Sequence, residues 1–191
     1  MKLLKTLLAS AVAVSAMPAL AYEAGDIVVK AGVVNVNPKE DSGIDGVTVG
    51  DDTQLGLTAT YMVTPKVGVE VLAATPFKHD VRAGGETVAT TKHLPPTVSA
   101  QYYLMDPASK LQPYVGLGVN HTFFFDEDGG VKHLGKSWGL AYSAGLNYDI
   151  DDKFLANVAV WKIDIDSELD NSGTDVEIDP LVFMIGAGMK F

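Results

Sequence analysis

The sequence predicts an all-β protein, an eight-stranded antiparallel transmembrane β-barrel. Three observations support this prediction. Apolar residues alternate with small or polar ones along most of the 191-residue chain, and a period of two indicates strands with two different faces. Eight such runs have about the length of a tilted strand that crosses a bilayer, about 9 to 11 residues. The connections alternate between short turns and longer loops, which is the layout of an outer-membrane barrel.

The first 21 residues have the organisation of a cleavable secretory signal. Lys2 and Lys5 form a basic start, an apolar run follows, and the small-residue segment 19–21 ends it. A membrane-anchoring helix is the alternative, but the apolar run is shorter than the about 20 residues that a spanning helix needs. Pro18 would also break such a helix. We therefore predict a signal peptide over residues 1–21 and a mature barrel over residues 22–191.

Composition argues against several other classes of protein. The chain has no cysteine, so it has no disulfide framework, thiolate nucleophile or zinc knuckle. Its formal net charge of −10 argues against nucleic-acid binding, which needs a basic face. The mature chain has no long apolar stretch, and a closed barrel is the remaining way to cross lipid. We expect the outer membrane of a Gram-negative bacterium, with its lipid and lipopolysaccharide, to surround this chain.

The eight predicted strands follow one another with alternating connections. They cover residues 27–36, 54–63, 67–75, 97–104, 113–125, 138–150, 154–165 and 181–191. Tight turns are predicted at 64–66, 106–108 and 151–153, and longer loops rich in Gly, Asp and Glu at 37–53, 76–96, 126–136 and 166–180. With an even number of strands, both chain ends lie on the short-turn, periplasmic side.

The two faces of the strands differ in side-chain size. In the sixth strand one face carries bulky apolar residues from Trp138 to Tyr148, and the other carries Gly, Ala, Ser and Asn. The bulky face suits lipid, and the small face suits a crowded eight-strand interior. A secreted lipocalin-like barrel is the alternative, but lipocalins add a C-terminal helix, whereas this chain ends on a strand. We interpret the last residue, Phe191, as a signal for the outer-membrane assembly machinery.

Several segments of the mature chain match a known family. They are TQLGL at 53–57, GVEVLAATPF at 68–77, HLPPT at 93–97, PYVG at 113–116, Trp161 with DID at 164–166, and DPLVFM at 179–184. Together they resemble the outer membrane protein W (OmpW) family, which includes hydrophobic-uptake porins of the AlkL type. The resemblance implies an eight-stranded barrel with a narrow, largely apolar channel for small hydrophobic molecules. The sequence departs from the family in its extracellular loops, of which the third is short.

Side chains on the inward faces form the candidate lumen. Glu70 should point inward because a charged side chain facing lipid is costly, and Leu72 shares its face. Asn157 shares a face with Trp161, so Trp161 is interpreted as lumenal, with a tryptophan at the membrane edge as the alternative. Leu72 and Trp161 would form an apolar constriction. The predicted lumen residues are Leu72, Trp161, Glu70, Met62, Met184 and Asn157.

Pro95 and Pro96 stand at the outer end of the fourth predicted strand. Proline has no N–H to donate to a strand ladder and is normally excluded from paired strands. Two interpretations stay open. The prolines could mark a strand start after a long loop, or they could interrupt the wall and let an apolar solute leave sideways into lipid.

Catalytic and metal chemistry are weakly indicated. A hydrolase needs a nucleophile, a base and an orienting acid in contact, whereas His121 is predicted outward and Ser143 inward. His79, Asp80 and His93 could approach one another across one loop, but their spacing alone is a weak signal for a metal. We predict no enzyme activity, no metal and no cofactor. The acidic runs at 40–41, 51–52 and 126–128 are interpreted as solvated loop tips, with divalent cations shared with lipopolysaccharide as the alternative.

Two functions follow from these features. The first is passive uptake of small hydrophobic molecules through a narrow apolar lumen, with lateral exit into the bilayer. The alternative is a non-transporting structural or receptor barrel whose loops bind a partner. A receptor could fill its interior with salt bridges, and few inward charges are visible in the sequence. That observation favours the channel.

Overall fold

The computed structural model describes residues 21–38, 47–83, 86–129, 137–169, 174–177 and 179–191. Within these residues the strands are β1 (Ile27–Asn37), β2 (Val47–Val49), β3 (Asp52–Thr64), β4 (Val67–Ala74), β5 (Phe77–Ala83), β6 (Glu86–Leu94), β7 (Thr97–Tyr103), β8 (Leu111–Gly129), β9 (Ser137–Asp149), β10 (Phe154–Ile163), β11 (Asp166–Leu169), β12 (Thr174–Glu177) and β13 (Leu181–Lys190). In this part of the chain no helix is long and apolar enough to cross a membrane.

Eight of these strands close into an antiparallel barrel. Around its circumference the order is β4, β3, β1, β13, β10, β9, β8 and β7, and β7 pairs with β4 to complete the circle. The seam between the first and last barrel strands ends with Ile27 and Phe191, whose backbones exchange hydrogen bonds of 3.1 and 2.9 Å. The predicted fold class is therefore confirmed.

Burial alternates along the barrel strands as the two-face pattern predicts. On β13, Leu181, Phe183 and Ile185 are exposed on the outer surface, whereas Val182 and Met184 are buried inside. The same alternation holds along β7, where every second residue is buried. Bulky apolar side chains thus form the outer wall, which is the surface that a bilayer covers.

Glycines on the inward faces let large interior side chains and neighbouring strands approach closely. A Cβ atom at Gly145 would collide with the ring of Tyr114, so this glycine makes room for an interior tyrosine. A Cβ atom at Gly32 would collide with the backbone oxygen of Ile185 on the adjacent strand. An eight-stranded barrel has little interior space, and these positions accept no larger residue without a shift of the backbone or of the tyrosine.

The four predicted loops are the longer connections of the barrel, but several of their residues form additional strands that the sequence did not predict. Residues 77–94 contain the hairpin strands β5 and β6, and β11 pairs with β12 within residues 166–177. β8 continues to Gly129 and pairs with β7 below and with β6 above. The β6 segment contains three threonines and one valine, which favour strands, and its backbone pairs with β5 and β8. Residues 39–46, 84–85, 130–136, 170–173 and 178 of the predicted loops lie outside the described residues.

Candidate functional site: the barrel interior

The barrel interior divides into two halves along its axis. The half next to the short turns, which we call the base, contains charged, amide and tyrosine side chains. The half next to the long connections, which we call the upper chamber, contains an apolar cavity lined mainly from β1, β4, β10 and β13. The inward residues of β7, β8 and β9 at this height are polar, namely Thr97, Asn120, Thr122 and Ser137. The division is clearest on β1, β4 and β13. Their inward residues include Lys30, Glu70 and Lys190 towards the short turns and Val34, Leu72 and Val182 towards the long connections.

An ion pair between β1 and β4 lies inside the barrel. The Nζ atom of Lys30 is 2.7 Å from Oε2 of Glu70, and both side chains are fully buried. The hydroxyl of Thr60 donates a further hydrogen bond of 3.2 Å to the same carboxylate oxygen. The Lys30 ammonium also lies 5.0 Å from the centre of the Tyr114 ring, within the range of a cation–π interaction.

Three tyrosines stack across the base. Ring centroids are 5.2 Å apart between Tyr22 and Tyr103 and 5.4 Å apart between Tyr103 and Tyr114. Tyr22 precedes β1, and its backbone N–H donates a 3.0 Å hydrogen bond to the carbonyl of Pro107 in the turn before β8. Burial raises the pKa of the Tyr22 phenol well above its usual range, and the nearby Asp149 carboxylate adds to this effect. The phenol is therefore uncharged, which is the favourable state for a hydroxyl buried in the base of the barrel.

Amides and a second ion pair complete the base. Asn157 donates hydrogen bonds of 2.8 Å to Asn147 and 3.3 Å to the Tyr114 hydroxyl, and Asn147 donates one of 3.0 Å to the Tyr22 hydroxyl. Lys190 forms a buried ion pair of 2.8 Å with Asp149. Together with the first ion pair and the tyrosines, these contacts fill the barrel at its short-turn end.

The expectation of few inward charges was therefore wrong, and the lumen is not apolar along its whole length. Lys30, Glu70, Asp149 and Lys190 are all buried inside. Lys30 was missed because both faces of β1 are apolar or small, so the alternation did not distinguish them. The signal was nevertheless present, since the rule that turns Glu70 away from lipid also applies to a lysine in the middle of a spanning strand.

The upper chamber holds a small apolar cavity. Its lining residues are Val34, Val36, Leu72, Ala74, Phe77, Pro95, Ile163 and Val182, and its volume is about 10 Å³. A cavity needs about 10 to 15 Å³ to hold one water molecule, so the chamber is nearly filled by its own side chains. A larger solute enters only if side chains such as Leu72 move.

The six predicted lumen residues are all buried inside the barrel, but they do not form one group. Leu72 lines the cavity. Trp161 and Met184 adjoin it, because their register partners Val182 and Val34 belong to its lining. The other three, Glu70, Asn157 and Met62, lie in the base. Tyr22 and Tyr103 were not predicted as interior residues.

The barrel wall is interrupted beside the upper chamber. Pairing between β4 and β7 ends at Leu72 and Thr97, and pairing between their continuations β5 and β6 begins at Phe77 and His93. Residues 73–76 and 94–96 lie between these two ladders, and they include Pro95 and Pro96. On its side facing β8, the segment 94–96 remains hydrogen-bonded to the barrel. The Pro96 carbonyl accepts hydrogen bonds from the backbone of His121 and the side chain of Asn120. We call this interruption the wall gap.

A shallow groove lies on the outer surface next to the wall gap. Its lining residues are Leu55, Gly56, Leu57, Ala73, Ala74 and Thr75, and its volume is about 300 Å³. Ala74 lines both this outer groove and the inner cavity. One residue at the end of β4 thus contributes atoms to both the interior and the lipid-facing surface.

The other sequence candidates do not assemble into a site. The described residues contain no group of three or more His, Cys, Asp or Glu residues placed to hold a metal ion, and the side chains of His79 and His93 lie outside the described part. His121 faces outward and stacks on exposed Trp138 with ring centroids 4.1 Å apart, whereas Ser143 is buried inside. Asp52 is held in local contacts, where it accepts hydrogen bonds from Gln54 and from the backbone of Lys78.

Both the sequence and the architecture of this chain match those of known proteins. The sequence model of the OmpW family matches residues 23–191. The chain belongs to the OmpW family. Outer membrane protein W of Escherichia coli strain K12 is 42% identical to this chain over an alignment of 213 residues. The alignment covers 98% of this chain and 100% of that protein. The crystal structure of OprG from Pseudomonas aeruginosa superposes with a TM-score of 0.80 at 42% identity, covering 90% of this chain and 98% of that one.

A more distant OmpW-family relative is outer membrane protein AlkL of Ectopseudomonas oleovorans. It is 28% identical over 185 residues, which cover 88% of this chain and 76% of AlkL. A solid-state NMR structure of AlkL in lipid bilayers superposes with a TM-score of 0.68 at 26% identity, covering 89% of this chain and 92% of that one. The predictions of the OmpW family and of an outer-membrane location are therefore confirmed. The short-turn end of the barrel is its periplasmic end, and the upper chamber lies towards the outside of the cell.

Proposed function

We propose that this OmpW-family barrel takes up small hydrophobic molecules and releases them sideways into the outer membrane. A solute enters the upper chamber from outside, displaces side chains of its apolar lining, and leaves through the wall gap. The observation that carries this proposal is Ala74, which lines both the inner cavity and the outer groove. The kinship with AlkL agrees with hydrophobic uptake.

The filled base supports a lateral route over a route through the barrel. An apolar solute that moved straight to the periplasm would have to separate Lys30 from Glu70 and part the stacked tyrosines. Separating a buried ion pair leaves uncompensated charge inside the protein, which is strongly unfavourable. The cavity beside the wall gap is lined by apolar residues, and none of its described lining residues is charged.

The hydrophobic lining can be tested by adding charge to it. We expect Leu72→Asp or Trp161→Glu to slow hydrophobic uptake, because a charged side chain makes the chamber polar. Uptake of a radiolabelled alkane by cells with and without the protein measures the effect. Ala108→Asp is a matched control, since it adds the same charge at an exposed periplasmic turn. Equal uptake by wild type and both lumen variants would contradict the channel.

The lateral exit can be tested by repairing the strand ladder. Pro95→Thr combined with Pro96→Val supplies two backbone N–H groups and two residues that favour strands. We expect this double variant to insert normally and to take up the alkane more slowly. Pro65→Thr is the control, because Pro65 lies in an exposed turn away from the gap. Uptake at the wild-type rate would show that solutes do not leave through the gap.

The second candidate is a non-transporting structural or receptor barrel. Two buried ion pairs inside the base favour it, because a barrel that only displays loops has no need of a passage. The same cells distinguish the two functions. A receptor barrel gives no difference in alkane uptake between cells with and without the protein.

We infer no catalytic role, because the barrel wall lies between outward His121 and inward Ser143. We also propose that the signal peptide is removed after Ala21, which leaves Tyr22 as the first residue of the mature chain. N-terminal sequencing of protein from purified outer membranes tests this boundary.

A further inference from the structure

Polar atoms without hydrogen-bond partners surround the floor of the upper chamber. Within the described residues, Nε1 of Trp161, Oγ of Ser143 and Oγ1 of Thr58 are buried and have no partner. Six further buried atoms without a partner lie elsewhere in the described part of the interior, on Ser99, Gln101, Gln112, Glu70, Asp149 and Asn157. A buried N–H or O–H without a partner is unfavourable, so the indole N–H of Trp161 and the hydroxyls of Ser143 and Thr58 would gain from a ligand that accepts a hydrogen bond.

The strand register places these atoms next to the apolar cavity. Trp161 is paired with Ser143 on β9 and with Val182 on β13, and Val182 lines the cavity. Thr58 is the register partner of Leu72, which also lines it. Directly paired residues have Cβ atoms about 5 Å apart. Trp161 and Thr58 are thus direct register neighbours of residues that line the cavity, and Ser143 lies one strand further from it.

We propose that the solute is an apolar molecule with one small uncharged head group that accepts a hydrogen bond, and that Trp161 Nε1 is the donor. The inference rests on the proposed uptake function and specifies its substrate class. The apolar tail occupies the upper chamber, and a hydroxyl, aldehyde or ester oxygen takes the hydrogen bond at the floor. Trp161 is then a specificity-determining residue, with the hydroxyl of Ser143 as a second contact for the head group. A head group with a full charge is disfavoured, because the buried lysines are already paired.

The chain offers a matched pair of tryptophans for the test. Trp161→Phe keeps an apolar ring inside the barrel and removes only the N–H donor, whereas Trp138→Phe makes the same change at a side chain that is 71% exposed on the outer wall. The measurement is uptake of dodecanal and of dodecane by cells that carry each variant. We expect Trp161→Phe to lower the ratio of dodecanal to dodecane uptake roughly two- to tenfold, the value of one hydrogen bond. Trp138→Phe should leave the ratio unchanged.

Three other outcomes are informative. If Trp161→Phe changes uptake of both probes by the same factor, or changes neither, the head-group site is wrong while the channel stands. If the protein raises uptake of neither probe over cells without it, the proposed uptake function is wrong and the head-group site falls with it. If Trp161→Phe does not insert, Ser143→Ala removes a smaller donor at the same floor, and an unchanged ratio there overturns the proposal.

A spectroscopic measurement in the purified barrel gives an independent readout. In the Trp138→Phe background, Trp161 is the one remaining tryptophan of the chain, since the sequence has two. We expect dodecanol to shift its emission to longer wavelength, because hydrogen bonding at the indole N–H lowers the energy of the excited state. Dodecane should give no such shift. Equal responses to both probes would contradict a hydrogen bond at Trp161.

Discussion

At the scale of single residues, the interior charges are held by partners far apart in the sequence. Lys30 and Glu70 are separated by 40 residues and meet because β1 and β4 both pair with β3. Each would be costly alone, since an uncompensated charge inside a protein is strongly unfavourable, whereas removing both charges of a buried pair is often nearly neutral. The pair therefore constrains which residues can occupy these two positions.

This contrast leads to a prediction for Glu70→Gln. The variant leaves the buried Lys30 ammonium without a counter-charge, and we expect it to lower the free energy of unfolding by about 3 to 5 kcal/mol. The measurement is urea unfolding of the barrel in detergent, followed by tryptophan fluorescence. The double variant Lys30→Met/Glu70→Leu removes both charges and should lose much less. A Glu70→Gln barrel as stable as wild type would show that the ion pair is not needed.

At the scale of elements, the periplasmic turn between β9 and β10 is fixed by one carboxylate. Oδ1 of Asp151 accepts hydrogen bonds of 2.8 Å from the backbone N–H groups of Lys153 and Phe154. These bonds favour the ionised carboxylate, so the pKa of Asp151 lies below its ordinary value. The local sequence supports the turn, because Asp readily accepts hydrogen bonds from backbone groups two and three residues ahead.

The depressed pKa of Asp151 predicts a specific pH dependence. The group contributes stability above its unfolded pKa of about 3.9, and this contribution is lost as the pH falls through its lower folded pKa. Asp151→Ala should therefore be less stable than wild type at pH 7, and the difference should shrink at pH 2. Urea unfolding at the two pH values measures it. Asp152→Ala is the control, since the Asp152 carboxylate accepts neither of these hydrogen bonds, and an equal effect of both variants would exclude the turn as the cause.

At the scale of the whole molecule, closure depends on the two chain ends. The backbone of Phe191 pairs with Ile27, while its side chain is exposed at the periplasmic rim. Tyr22, a few residues before Ile27, folds under the barrel and bonds to Asn147, 125 residues away. The barrel wall and the plug of its base are thus completed by residues from opposite ends of the mature chain.

The role of Phe191 in assembly can be separated from its role in closure. We expect Phe191→Ala, which keeps the backbone pairing, to lower the amount of barrel in the outer membrane while synthesis and export stay normal. Deletion of Phe191 should lower it further, because the last backbone pair is also lost. Phe154→Ala removes another exposed phenylalanine at the periplasmic end and should have little effect. Fractionation and immunoblotting measure the inserted protein, and normal insertion of Phe191→Ala would show that this side chain is not the signal.

The sequence by itself determined the eight barrel strands, the faces of most of them and the burial of Glu70, Leu72 and Trp161, because alternation and the cost of charge in lipid act locally along each strand. Only the tertiary structure decided that Lys30 meets Glu70, that Tyr22 plugs the base, and that Ala74 lines both sides of the wall. These facts depend on the pairing register around a closed barrel, which a period of two does not reveal. For Pro95 and Pro96, the sequence determined one part and the tertiary structure the other. Their missing N–H groups predict an interruption, but β8 pairs with both β6 and β7 and so determines that the interruption opens towards β4.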